Sequence, residues 1–232
     1  MQIPEQFQQK MVRSFGERGS AWLAHLPHIY ERAVRKWSLT NCSLSPEIFY
    51  NLICFGDSPD FGPVVLKIGM PHRELFTEIQ ALRLYGGRHI CACHDADPEL
   101  GALLLERVVP GTDLTHVASH RERSLVGAGL MARLPVPLAE GHGFPAYSAL
   151  LQEAFRWVRA ENRAGVAMLA LVETAEALFR EVEEEGGPAV LLHGDLHHKN
   201  ILRDRQGGWR AIDPKGIAGV AVMETARFIQ NE

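Results

Sequence analysis

The stretch VLLHGDLHHKNIL, residues 190–202, narrows the possible folds more than any other part of the chain. Val190, Leu191 and Leu192 read as the end of a buried strand. The chain then turns polar through His193, Gly194, Asp195, His197, His198, Lys199 and Asn200, and returns to an apolar pair, Ile201-Leu202. One Asp and one Asn stand five positions apart in a tight loop hung between two apolar runs. A polar loop held by buried strands is a place for chemistry rather than for packing.

The rest of the chain supplies a scaffold in two styles. Phe7, Met11, Val12 and Phe15, then Trp22, Leu23, Leu26, Ile29 and Tyr30, recur at helical spacing, which predicts two amphipathic helices. The period then changes. WSLTNC (37–42), IFYNLICF (48–55) and GPVVLKIG (62–69) predict three strands, with a turn at SLSPE. PHRELFTEIQALRLYG predicts a helix between Pro71 and Gly86-Gly87. HICACHDA and GALLLERV add two strands around a turn at Asp97-Pro98. After Pro110-Gly111 the chain becomes mainly helical up to residue 185, with breaks near Pro135–Pro137 and at Gly165. Leu169, Val172, Ala175, Leu178, Phe179 and Val182 form an apolar stripe expected to pack in the core. The strand GWRAIDP and a last helix, VMETARFIQNE, follow the polar loop. The expected fold class is α+β: N-terminal helices over 1–36, a small antiparallel-sheet lobe with one helix over 37–109, and a mainly helical lobe over 110–232. A chain of 232 residues suits such an arrangement of small lobes.

The spacing His193-x-Asp195-x4-Asn200 matches the loop with which kinases transfer phosphate. That chemistry needs an acceptor for a hydroxyl proton and neutralisation of phosphate charge. Asp195 is the expected catalytic base, and Asn200 would turn its amide oxygen to magnesium. Asp213, 18 positions after Asp195 at the end of the next apolar strand, is the expected second metal ligand. Lys67 in VVLK would contact the ATP phosphates. Glu78, eleven positions on, would pair with it, and Glu74 is the second choice. The strand LLLERV leads to a hinge where the backbone of Glu106 to Val108 would meet adenine. There is no Gly-x-Gly-x-x-Gly loop, so Ser43 and Ser45 are the candidates to meet the phosphates. His197, His198 and Lys215 are candidates for the acceptor side.

Competing readings use the histidines or Cys91, Cys93 and His94 as zinc ligands. Zinc spacings are usually wider, and Gly194 breaks the helix that a His193/His197 pair would need. The four cysteines read as reduced thiols of a cytoplasmic protein. The N-terminus lacks the apolar core of a signal peptide, and no run approaches the ~20 apolar residues of a membrane span. A net charge of −4 gives no basic footprint for nucleic acid, whereas a cationic small molecule would suit it.

LLHGDLHHKNIL followed by AIDPKG resembles the aminoglycoside phosphotransferase family, in the branch of streptomycin 6-kinases and hydroxyurea-resistance kinases. The resemblance runs in order over residues 35–232 and is strongest over 190–217. It implies a two-lobed protein-kinase-like fold and transfer of the ATP γ-phosphate to a hydroxyl of a small molecule such as streptomycin, as in antibiotic resistance. Gly194 in place of the arginine of His-Arg-Asp, and the absence of an Ala-Pro-Glu segment, favour a small-molecule acceptor over a protein. Two departures support a rival expectation, a nucleotide-binding relative with weak catalysis. The family pattern continues with helices beyond residue 232, which leaves a truncated chain, a fragment or a degenerate family member as the expectations, and Val220 stands where an acidic residue is expected.

Overall fold

A computed structural model of the chain describes residues 3–46, 48–160 and 165–230. Glu47 of the SLSPE turn and the last two residues of the expected C-terminal helix lie outside these. The chain divides into two compact units. The first comprises residues 1–112 with 203–208, and the second residues 113–202 with 209–232.

The first unit opens with helix α1 (Glu5–Lys36), which leaves helical geometry at Gly16, φ 57° and ψ −135°. The two expected helices are the two arms of this kinked element. Glu5 in its first turn and Arg35 and Lys36 in its last complement the helix dipole. Strands β1 (Thr40–Leu44), β2 (Leu52–Ser58) and β3 (Gly62–Ile68) follow, then helix α2 (Arg73–Tyr85), β4 (Cys93–Asp97) and β5 (Ala102–Glu106). The five strands form one sheet in the order β1-β2-β3-β5-β4, with every neighbour antiparallel.

Several strand boundaries differ from those expected. Trp37 is not in a strand; it ends α1, buried, and its indole Nε1–H donates to Asp95 Oδ2 at 2.8 Å. Phe49 and Tyr50 lie outside β2, exposed, with the Lys10 ammonium 3.1 Å from the Phe49 ring centre. This cation–π contact holds aromatic residues in a loop that their strand propensity alone would misplace. Ile90 and Cys91 are buried but precede β4.

Alternation along β3 decides what the sheet presents. Val64, Leu66 and Ile68 enter the main apolar core with Phe7, Met11, Trp22 and Leu26 of α1. Successive side chains of a strand point to opposite faces, so Lys67 projects from the other face. Helix α2 meets it there, ending at Gly86 in left-handed geometry.

Strand β6 (Pro110–Asp113) leads to the second unit, with α3 (His120–Met131), β7 (Val136–Pro137), α4 (Tyr147–Ala160), α5 (Val166–Glu185) and β8 (Val190–Leu192). Then come β9 (Ile201–Asp204), β10 (Trp209–Ala211), β11 (Ile217–Gly219) and α6 (Glu224–Ile229). Strand β8 lies between β7 and β11, antiparallel to both, with Ile217 opposite Leu192.

The α5 stripe is less buried than its spacing predicts. Val172 is buried, Leu169 and Phe179 are half-buried, and Ala175, Leu178 and Val182 are exposed. The small core beneath is built from Leu192, Val220 and Met223, with Tyr147 and Phe179 packed against it, and it covers only one edge of the helix. Among the described residues no helix is long and apolar enough to cross a membrane.

Candidate active site

In the first unit, the ammonium of Lys67 lies 2.7 and 2.8 Å from Glu78 Oε1 and Oε2. Both side chains are more than nine-tenths buried. β3 and α2 supply one partner each, and removing either would strand a buried charge. Glu74, the second choice, is exposed one turn earlier, with His72 Nε2 3.9 Å from its carboxylate.

Ser43 lies exposed on β1, and the backbone N–H of Ser45 is engaged with the Ile53 carbonyl at 2.8 Å. That amide is therefore not available to a phosphate as expected. Glu106 is tied to Ala92 twice: its N–H donates to the Ala92 carbonyl at 2.8 Å, and its Oε2 accepts the Ala92 N–H at 3.0 Å. Val108 is buried two positions on.

In the second unit the polar loop leaves β8 at His193, which is fully buried. Its Nε2–H donates to the Ile212 carbonyl at 2.9 Å, and Nδ1 accepts the Asp195 N–H at 3.2 Å. These two bonds fix the neutral tautomer with the proton on Nε2. Burial pushes the imidazole down to about 4. Gly194 follows at φ 77°, where a Cβ would stand 2.6 Å from Ile217 Cδ1. Both the backbone angle and the space exclude a side chain, which explains why no arginine precedes Asp195.

Asn200 is buried and donates from Nδ2 to the Asp195 carbonyl at 3.0 Å, which bridges the two ends of the loop. Its amide oxygen is left as the atom that could meet a cation. Asp213 has φ 62°, a left-handed conformation that is uncommon outside glycine and concentrates at functional sites. Two positions on, the Lys215 N–H returns to the His193 carbonyl at 2.8 Å, with the Lys215 side chain exposed. An amide oxygen and a carboxylate oxygen suit a hard cation such as magnesium, which takes few protein ligands and completes its shell with phosphate and water. Among the described residues no group of three or more His, Cys, Asp and Glu could hold a metal alone. His94, considered with Cys91 and Cys93, instead stacks on Phe61, with ring centres 4.3 Å apart.

His197 is half-buried beside the loop. His198, also expected on the acceptor side, is 3% exposed, and its ring stacks on Phe228 at 4.3 Å. The ring thus packs against α6.

Sequence reading missed two residues of α6. Glu224 Oε2 accepts the His193 N–H at 2.6 Å, and Oε1 accepts the Gly194 N–H at 3.0 Å. Burial, with the Asp195 charge adding to it, pushes the Glu224 carboxyl up to about 7, against the pull of the two amides. Val220 is buried in the small core, where an acid would have no partner. Arg227 is the second: its Nε–H donates to Asp195 Oδ1 at 2.7 Å. Both residues sit in an ordinary amphipathic segment, and no short-range spacing marks them.

The chain is 34% identical over 223 residues to the streptomycin 6-kinase of Streptomyces glaucescens, covering 94% of this chain and 71% of that one. It is 31% identical over 228 residues to the hydroxyurea phosphotransferase of Kitasatospora aureofaciens, covering 94% and 65%. Its fold is similar to that of the choline kinase LicA from Streptococcus pneumoniae, with a TM-score of 0.63 over 87% of this chain and 74% of that one, at 13% identity. The fold is therefore the kinase-like one, a sheet-based N-terminal part followed by a mainly helical part. Residues 36–232 match the family described as aminoglycoside/hydroxyurea antibiotic resistance kinase, and the chain belongs to that family of small-molecule kinases.

Proposed function

We propose that this kinase transfers the γ-phosphate of ATP to a hydroxyl of an aminoglycoside, with streptomycin as the acceptor to try first. The observation that carries the reading is the loop at Asp195: its backbone is bonded on both sides, by His193 and by Asn200, and its carboxylate is only partly buried. Similarity to the streptomycin 6-kinase of S. glaucescens supports the choice of acceptor.

In this reading Asp195 takes the proton of the acceptor hydroxyl. The acceptor oxygen forms a bond to the γ-phosphorus while the bond to the β,γ-bridging oxygen breaks, and ADP leaves. Lys67, oriented by Glu78, binds the phosphates in the first unit. Asn200 and Asp213 would hold magnesium, which supplies charge neutralisation to the phosphates when bound. The adenine contact is assigned to the backbone of Glu106 to Val108, and the phosphate contact to Ser43 and Ser45. His197 and Lys215 are the acceptor-side candidates. The proposed setting is the cytoplasm, where ATP is available.

The presence of Lys67, Glu78, Asp195, Asn200 and Asp213 speaks for the enzyme, and Val220 in place of an acid speaks for the rival, a nucleotide-binding relative without turnover. A coupled ADP-release assay decides between them, run with Mg-ATP and streptomycin, then with hydroxyurea in its place. Streptomycin-dependent ADP release is expected, falling about 10²–10⁴-fold in Asp195→Asn, the usual worth of a positioned base. Saturable Mg-ATP binding with no ADP release on either acceptor would favour the rival.

A further inference from the structure

Helix α6 touches the catalytic loop through consecutive contacts. Glu224 accepts the backbone N–H groups of His193 and Gly194, Arg227 donates to the side chain of Asp195, and Phe228 stacks on His198. Residues three apart share a helix face, so Glu224 and Arg227 reach the loop from the same side. The phenyl ring of Phe228 also lies over Gly127 of α3, where any Cβ would collide with it, so α6 is fixed from behind. One short helix thus grips three successive residues of the loop, two by backbone and the third by its carboxylate.

We propose that Arg227 is a positioning residue for phosphate transfer, holding Oδ1 of Asp195 so that Oδ2 is presented to the acceptor hydroxyl. The inference rests on the reading of Asp195 as the base. The pair is 2.7 Å long, with the Asp195 side chain 16% exposed and that of Arg227 45% exposed. A half-exposed pair of this kind contributes little to folding. Its place on this carboxylate is better explained by geometry. The carboxylate of an aspartate rotates easily about its last torsion, and an unheld one would present its oxygens to the acceptor at varying angles. Holding one oxygen with a guanidinium N–H removes that freedom before the substrate arrives, and loss of alignment at a reacting atom costs rate steeply. Arg227 meets the carboxylate through Nε, the guanidinium nitrogen nearest its backbone.

The test uses the intact chain with Mg-ATP and streptomycin. Arg227→Met is expected to lower kcat about 10–100-fold, leaving the KM for Mg-ATP and the melting temperature close to wild type. Arg227→Lys should recover part of kcat, because an ammonium can still donate to Oδ1. In an Asp195→Ala background, Arg227→Met should change the residual rate no further. A readout independent of turnover is the Nε–H resonance of Arg227 in nitrogen-labelled protein, expected to exchange slowly with water in wild type and rapidly in Asp195→Ala. Wild-type kcat in Arg227→Met, or an equal drop in both backgrounds, would overturn the proposal. Should Arg227→Met fail to fold, Arg227→Lys and the resonance decide. Asp195→Ala with wild-type turnover would instead overturn the reading of Asp195 as base, and that outcome is distinct from an inactive Asp195→Ala beside a fully active Arg227→Met.

Discussion

The carboxylate of Glu224 receives the backbone N–H of His193 at 2.6 Å, across 31 positions of sequence. Its other oxygen takes the next N–H, that of Gly194. A buried amide without a partner is costly, and β8 ends just before these two. Glu224 therefore stands in for a missing strand and fixes the direction in which the chain leaves the sheet.

Glu224→Gln keeps the shape but offers one acceptor oxygen, and its amide NH2 would face an N–H. One buried donor is then orphaned, at a cost of about 1–3 kcal/mol. The melting temperature should fall accordingly. Turnover should also fall, by up to about 10²-fold, because the loop that carries Asp195 loses its anchor. A variant as stable as wild type would show that the two bonds contribute nothing.

Glu224 and His193 make opposite contributions to the pH dependence of stability. Glu224 is raised from its ordinary 4.5 to about 7, so between these values the native state binds a proton that the unfolded chain releases, and stability falls as pH rises. His193 is lowered from 6.5 to about 4, so over that window the unfolded chain binds a proton that the native state refuses, and stability falls as pH drops. The two slopes oppose each other from about pH 4.5 to 6.5. Denaturant titrations across this range should therefore show a steeper rise of stability with pH in Glu224→Gln than in wild type. His193→Asn should show a shift of the slope in the other direction. Equal slopes in all three proteins would contradict both assignments.

Lys67→Ala should abolish measurable ATP binding and also destabilise the chain, by about 3–5 kcal/mol, since Glu78 is left charged and buried. The double variant Lys67→Met/Glu78→Leu separates the two effects. Apolar side chains of similar volume should restore most of the stability and none of the ATP affinity. Binding is read as a rise in melting temperature with Mg-ATP concentration, as for any ligand that binds only the folded state. A double variant that binds ATP like wild type would remove Lys67 from the phosphate site.

Asp213→Asn should lose the magnesium dependence of ATP binding with little change in stability, because Asn tolerates the left-handed backbone as well as Asp does. Asp213→Ala should lose the same dependence and in addition about 1–2 kcal/mol of stability, from placing a Cβ-bearing residue with no local side-chain bond at φ 62°. Calorimetry with and without magnesium checks both. An unchanged magnesium dependence in Asp213→Asn would place the metal elsewhere.

Much of this protein was legible in its sequence because the relevant signals are short-range. The strands around Lys67, the helix bearing Glu78 and the apolar pairs flanking Asp195 announce themselves by period and punctuation. The spacing of His193, Asp195, Asn200 and Asp213 is itself a motif, so their order along the chain already proposes them as a group. Other features depend on which surfaces meet after folding. Phe49 and Tyr50 look like strand residues, yet they lie exposed in a loop against the Lys10 ammonium of a distant helix. The α5 stripe looks like core until the core proves too small to cover it. Glu224 and Arg227 carry no local mark, since each is one charged residue in a short helix about 30 positions from its partner. Sequence determined which groups could do chemistry, because side-chain type and spacing are written in it. Tertiary structure alone decided which groups hold them still, because a hydrogen bond between distant residues exists only once the chain has brought them together.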